Sequence, residues 1–178
     1  MKKTSVFLLG LAGLSLLSCN LFSPKAPAPT PAPAPPLASP SDKFVLATLT
    51  AADGQRSDVL STEAQRAKAQ GLTLFVEFYA DWCEPCQALS KSLGDGNHPG
   101  DPQMIAAFTG TYILRLNVDK WLDTPLGANF QVKTIPAFFA LDAAGKPTGR
   151  TITGAAWGDN TPENMAPPLK AFFTANEW

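Results

Sequence analysis

Cys83 and Cys86 stand three residues apart in the segment DWCEPCQ. Two cysteines at that spacing on one helical turn share a face, with Cα atoms inside the roughly 4.4 to 6.8 Å that a disulfide tolerates. The bond between them can close and open without refolding. The first cysteine lies nearest the unpaired amides and the positive end of the helix dipole, which stabilise a thiolate and lower its pKa. Cys83 is therefore the expected nucleophile. Cys86, deeper in the helix and more shielded, is expected to stay a thiol until it attacks the mixed disulfide and releases the substrate.

Other chemistries for this pair lack supporting residues. A structural zinc site takes about four ligands, whereas the chain has three cysteines and one histidine. A haem attachment needs histidine after the second cysteine, where Gln87 stands. A purely structural disulfide spanning Cys83 to Cys86 would close so short a loop that it removes little chain entropy. Reversible redox chemistry at Cys83 and Cys86, with no other cofactor and no metal, is the reading that remains. His98, in a polar loop, reads as solvated rather than catalytic.

Such a pair needs a strand to deliver it and a helix to carry it. LTLFVEFY (72–79) is apolar on both faces except for Glu77, as a central strand covered by helices on both sides should be. A helix is predicted from the cysteines to about Leu93, then a loop (GDGNHPG). A short helix follows, capped by Asp101 with Pro102 in its first turn. Strands are predicted at 44–50, 111–119, 135–141 and 149–153, the last two flanking AAGK as a hairpin. Asp53-Gly54 marks a turn, and helices are predicted at 57–70, stopped by Gly71, and around 168–175. This order predicts an α/β domain: a central mixed sheet with helices on both faces.

YADWCEPCQ after an apolar strand, LNVD one helix later and VKTIPAFF thereafter resemble the thioredoxin superfamily from about Phe44 to the end of the chain. YADWC, and the loop near residues 95–101, are similar to the periplasmic carboxy-terminal domain of transmembrane disulfide-reductant transporters. The resemblance implies a thioredoxin-like fold and thiol-disulfide exchange with protein disulfides. It implies that Pro136 is a cis-proline facing the cysteines, that the backbone of Ile135 pairs with a substrate peptide, and that Trp82 forms part of the surrounding surface. Glu77 matches the family's buried aspartate, which exchanges the proton of the second cysteine. Glutamate is one methylene longer. Arg115 falls where thioredoxin has a lysine beside that acid, and a guanidinium, which keeps its proton, is expected to hold Glu77 more firmly ionised.

The ends of the chain bear on location. MKKTSVFLLGLAGLSLLSCN has two lysines, an apolar stretch from Val6 to Leu17 and small residues ending at Cys19, a secretory signal too short for the roughly 20 residues of a membrane-spanning helix. Leu16-Leu17-Ser18-Cys19 resembles the bacterial lipoprotein box, which implies cleavage before Cys19 and its acylation. Ser23 to Pro40 alternates proline with alanine and is expected to form a polyproline II spacer on the order of 50 Å long. The predicted organisation is a signal peptide at 1–18, an anchor cysteine and linker at 19–41, and a thioredoxin-like domain at 42–178. Location on the periplasmic side of a membrane follows. Asn20 after the cysteine leans toward the outer one.

The 14 basic and 15 acidic residues become 12 and 15 when Lys2 and Lys3 leave with the signal, which excludes nucleic acid as a partner. Glu84 places a negative charge beside Cys83, and Pro85 is the proline that reducing thioredoxins share. Both disfavour the thiolate and tilt the protein toward reductase. A reductase in an oxidising compartment needs an electron source, and a membrane-embedded donor is expected. The rival functions are an oxidase or isomerase of disulfides and a copper carrier using the two thiols as ligands.

Overall fold

A computed structural model describes residues 43–50, 52–53, 57–94 and 98–175. Cys19, the signal peptide, the Pro/Ala-rich linker and Gly54 lie outside these residues. A five-stranded sheet runs in the order β1-β3-β2-β4-β5, with β1 at Val45–Thr48, β2 at Thr73–Tyr79, β3 at Thr111–Asn117, β4 at Ala137–Leu141 and β5 at Pro147–Thr153. β1, β3 and β2 are parallel, and β4 and β5 add antiparallel.

Alternation along the strands sorts side chains between two cores. Leu74, Val76 and Phe78 of β2 and Tyr112, Leu114 and Leu116 of β3 point to one face, where helix α1 (Val59–Ala69) contributes Val59, Ala64 and Ala67. Phe75, Ile113 and Phe138 point to the other, under α2 (Glu84–Leu93), α3 (Pro102–Phe108) and α5 (Pro162–Thr174). Phe173 of α5 is the hub of that second core, with ring centroids 4.8 Å from Phe75, 4.9 Å from Phe108 and 5.5 Å from Phe138. Glu77 and Arg115 share the parity of Phe75 and Ile113, and the β2–β3 register makes them direct neighbours. Two adjacent strands thus present an acid and a base to the α2 side of the sheet.

Several boundaries depart from the sequence expectation. β3 stops at Asn117 rather than 119, because the Asn117 side chain accepts the Asp119 N–H (2.9 Å) and caps a short helix, α4 (Val118–Trp121). The strand predicted from Ile135 begins at Ala137, after a cis Ile135–Pro136 peptide, and its hairpin partner starts at Pro147 rather than Gly149. The last helix begins at Pro162, six residues before the predicted start, and carries Pro167 and Pro168 inside it. Proline in a helix interior removes a hydrogen bond and costs about 3 kcal/mol, so propensity argues for a later start. Burial of Met165, Ala166, Leu169 and Phe173 against α3 and the sheet offsets that cost.

Candidate active site

The segment from Ala80 to Cys86 turns from β2 into α2, and backbone bonds shape it: Cys83 N–H donates to the Ala80 carbonyl (3.3 Å) and Gln87 N–H to the Cys83 carbonyl (3.0 Å). Cys83 is the N-cap of α2, and its sulfur accepts the Cys86 N–H at 3.3 Å. Pro85 falls in the first turn, where a missing amide hydrogen leaves no bond unmade. The two cysteines are joined, with Cα atoms 5.2 Å apart. Cys83 is 5% exposed and Cys86 1%, which agrees in order with the shielding expected of the second cysteine.

The Ile135–Pro136 peptide is cis. Ile135, Val118 and Tyr79 pack around Ala80, Cys83 and Cys86, while the Pro136 carbonyl accepts the Gly154 N–H at 3.1 Å. A Cβ on Gly154 would stand 3.3 Å from Cδ of Pro136, so glycine permits this close approach. Trp82 is the most exposed large apolar side chain here, at 67%. Its orientation is fixed: Nε1–H donates to Asp119 Oδ2 of α4 at 3.0 Å. Asn117 ties the same end together by donating from Nδ2 to Asp81 Oδ2 (3.1 Å), and the Gln87 side chain donates to the Asp81 carbonyl. Asp119 and Asn117 were legible only as parts of the LNVD motif, because the bonds that give them work cross from one strand end to another.

Glu77 is fully buried and held by Arg115, whose Nε and Nη2 donate to its two carboxylate oxygens at 2.7 and 3.3 Å. Arg115 also donates to Ser90 of α2 at 2.9 Å and lies 4.1 Å from the centroid of the Tyr79 ring. The pair is thereby bolted to the helix that carries Cys86, four residues before Ser90. Burial pushes the Glu77 carboxyl above its usual range, and the charge and hydrogen bonds of Arg115 pull it only part of the way back. The guanidinium favours the ionised form, and desolvation outweighs it.

Beside the disulfide a cleft of about 620 Å³ is lined, among the described residues, by Cys86 but not by Cys83. Arg115, Ser90 and Lys91 line it, and so does His98, which the sequence placed in a solvated loop. Among the described residues no group of three or more His, Cys, Asp or Glu side chains is placed to hold a metal ion.

The family model for thioredoxin matches residues 61–161. The thiol:disulfide interchange protein TxlA of Synechococcus elongatus is 33% identical over 92 residues, covering 52% of this chain and 44% of that protein. The thiol:disulfide interchange protein DsbD 2 of Pseudomonas aeruginosa is 30% identical over 98 residues, covering 53% of this chain and 16% of that protein. Thioredoxin 1 of Chlorobaculum tepidum is 37% identical over 67 residues, 37% of this chain and 56% of that one. The chain spans about half the length of TxlA or less. A matched region that runs from α1 to the start of α5, with a disulfide at the mouth of α2 and a cis Ile135–Pro136 peptide, decides the family. This chain belongs to the thioredoxin family and carries the Cys83–Cys86 disulfide at its site.

Proposed function

We propose that the protein is a lipid-anchored reductase of protein disulfides on the periplasmic side of a bacterial membrane. The observation that carries this reading is the Cys83–Cys86 disulfide at the N-terminus of α2, with Ile135 of the cis Ile135–Pro136 peptide packed against it. In the reduced protein Cys83 attacks a substrate disulfide, aided by the amides and dipole of the helix it caps. The backbone of Ile135 and the face of Trp82 receive the substrate chain. Cys86 then attacks the mixed disulfide, and the substrate leaves with its cysteines reduced. Glu77 takes the Cys86 proton; its raised pKa suits a base working near neutrality. Arg115 positions Glu77.

The direction rests on Glu84, exposed at the first position of α2 beside Cys83, and on Pro85. A negative charge there opposes the thiolate, so the dithiol form is less favoured to hold charge and more disposed to give up electrons. A membrane-embedded dithiol donor returns those electrons, and an acylated Cys19 with its proline-rich spacer holds the domain near that donor.

Equilibration against glutathione measures the direction: a potential well below that of the glutathione couple, near the roughly −270 mV of thioredoxin, is expected. A potential near the roughly −120 mV of a strong oxidant would overturn the reductase reading in favour of an oxidase.

A further inference from the structure

Arg115 reaches Glu77 from β3 and is held at three places. Nε and Nη2 donate to the carboxylate, Cζ lies 4.1 Å from the centroid of the Tyr79 ring, and Nη2 donates a second time, to Ser90 Oγ at 2.9 Å. Glu77 and Tyr79 stand two residues apart on β2, so both hold the guanidinium from one face of the sheet. Ser90, half-buried on α2, holds it from the helix that carries Cys86. The fork on Glu77 is uneven. Nε is 2.7 Å from Oε2, whereas Nη2, the nitrogen shared with Ser90, is 3.3 Å from Oε1. Ser90 thus governs the looser end of the fork, and beyond it lies the cleft that Arg115 lines.

We propose that Ser90 is a positioning residue for the proton transfer: by fixing Nη2 of Arg115 it keeps both guanidinium bonds on Glu77 and so sets the pH at which Glu77 becomes the base for Cys86. The proposal rests on the redox reading of the pair and on Glu77 as its base. A carboxylate is stabilised by two parallel guanidinium bonds more than by one. Without the Ser90 acceptor Nη2 turns toward the cleft, the protonated acid gains, and the working range of Glu77 moves upward in pH. The other groups around the pair are untouched by a change at Ser90: Tyr79 and Asp81 at the end of β2, Cys86 and Lys91 of α2 and His98 in the loop after it line the same cleft, and the neighbour of Glu77 on β4 is the apolar Phe138.

The test is stopped-flow oxidation of the reduced full chain by 5,5′-dithiobis(2-nitrobenzoate). Cys83 attacks the reagent and releases one thionitrobenzoate; Cys86 then gives up its proton, attacks the Cys83 sulfur and releases the second. Protein dithiol becomes disulfide and the reagent becomes two thiolates, so the second phase alone reads the step that Glu77 serves. Followed from about pH 5 to 9, the midpoint of that phase is expected to rise by about half a unit in Ser90→Ala, a roughly threefold slowing below the midpoint, while the first phase keeps its profile. Alanine favours the helix, so α2 is retained, and Ser90→Thr, which keeps the hydroxyl, restores the wild-type midpoint. An unmoved or lowered midpoint in Ser90→Ala, an equal shift in Ser90→Thr, or a slowing of both phases at every pH would overturn the proposal. Glu77→Gln separates it from its parent. If that variant keeps the wild-type profile, the base itself is misassigned and the proposal falls with it; if it loses the pH dependence while Ser90→Ala leaves it in place, only the role of Ser90 is wrong.

Discussion

Cys83 and Cys86 occupy the N-cap and the third position of one helix, and that difference of a single turn makes them chemically unequal. Cys83 sits at the helix mouth, where amides and dipole lower a thiol pKa, and Cys86 is nearly inaccessible from outside. In cells producing Cys86→Ser, non-reducing gels should show thiol-sensitive adducts with substrate proteins, while Cys83→Ser should show few or none. Equal trapping by both would mean that the nucleophile is the other cysteine. Glu77 permits a second test. Glu77→Gln keeps the shape and the acceptor for Arg115 but removes the base, so insulin reduction at neutral pH should slow by about tenfold or more. Its stability signature has a definite sign. Burial raises the folded carboxyl pKa above the ordinary 4.5, so the unfolded chain gives up this proton first as pH rises. The contribution of Glu77 is therefore neutral below about pH 4.5 and turns increasingly unfavourable as pH climbs through the folded pKa. Urea unfolding from about pH 4 to 8 should show wild-type stability falling relative to Glu77→Gln, and parallel profiles would contradict the raised pKa.

At the scale of elements, α4 and α5 do work that their own sequences barely announce. α4 has four residues, yet it supplies Asp119 as the acceptor for the Trp82 indole. Asp119→Ala should free that ring, so Trp82 emission shifts and KM for a protein disulfide rises several-fold while kcat moves less. A kcat loss with unchanged KM would show that Asp119 acts on the chemistry instead. α5 holds the sheet from below through Phe173, whose ring meets those of Phe75, Phe108 and Phe138. Phe173→Ala should cost about 3 to 5 kcal/mol in chemical denaturation, with the exchange rate per folded molecule unchanged. Phe172, only partly buried, should cost clearly less on the same change.

For the molecule as a whole, the anchor prediction concerns Cys19, outside the described residues. Protein extracted from membranes should begin at Cys19 and carry acyl chains, detected by mass spectrometry, and Cys19→Ser should leave the protein unprocessed or released. A bare Cys19, or an intact leader on wild-type protein, would remove the anchor from the proposed function. The amino-acid sequence by itself determined the parts of this protein that depend on local order. Residue type and spacing placed the dithiol on a helix turn, the period-two and all-apolar patterns placed β2 and β3 within one to two residues, and Asp101 with Pro102 marked the start of α3. The family resemblance led to Pro136. The tertiary structure decided what depends on pairs far apart in the chain. The register of β2 with β3 set Glu77 beside Arg115, 38 residues away, and burial rather than the guanidinium then set the direction of its pKa. Packing against α3 carried α5 past two prolines that argue against a helix. The reach of Trp82 to Asp119 exists only once strand ends and helices meet, because such contacts follow from geometry in space and leave no periodic trace along the chain.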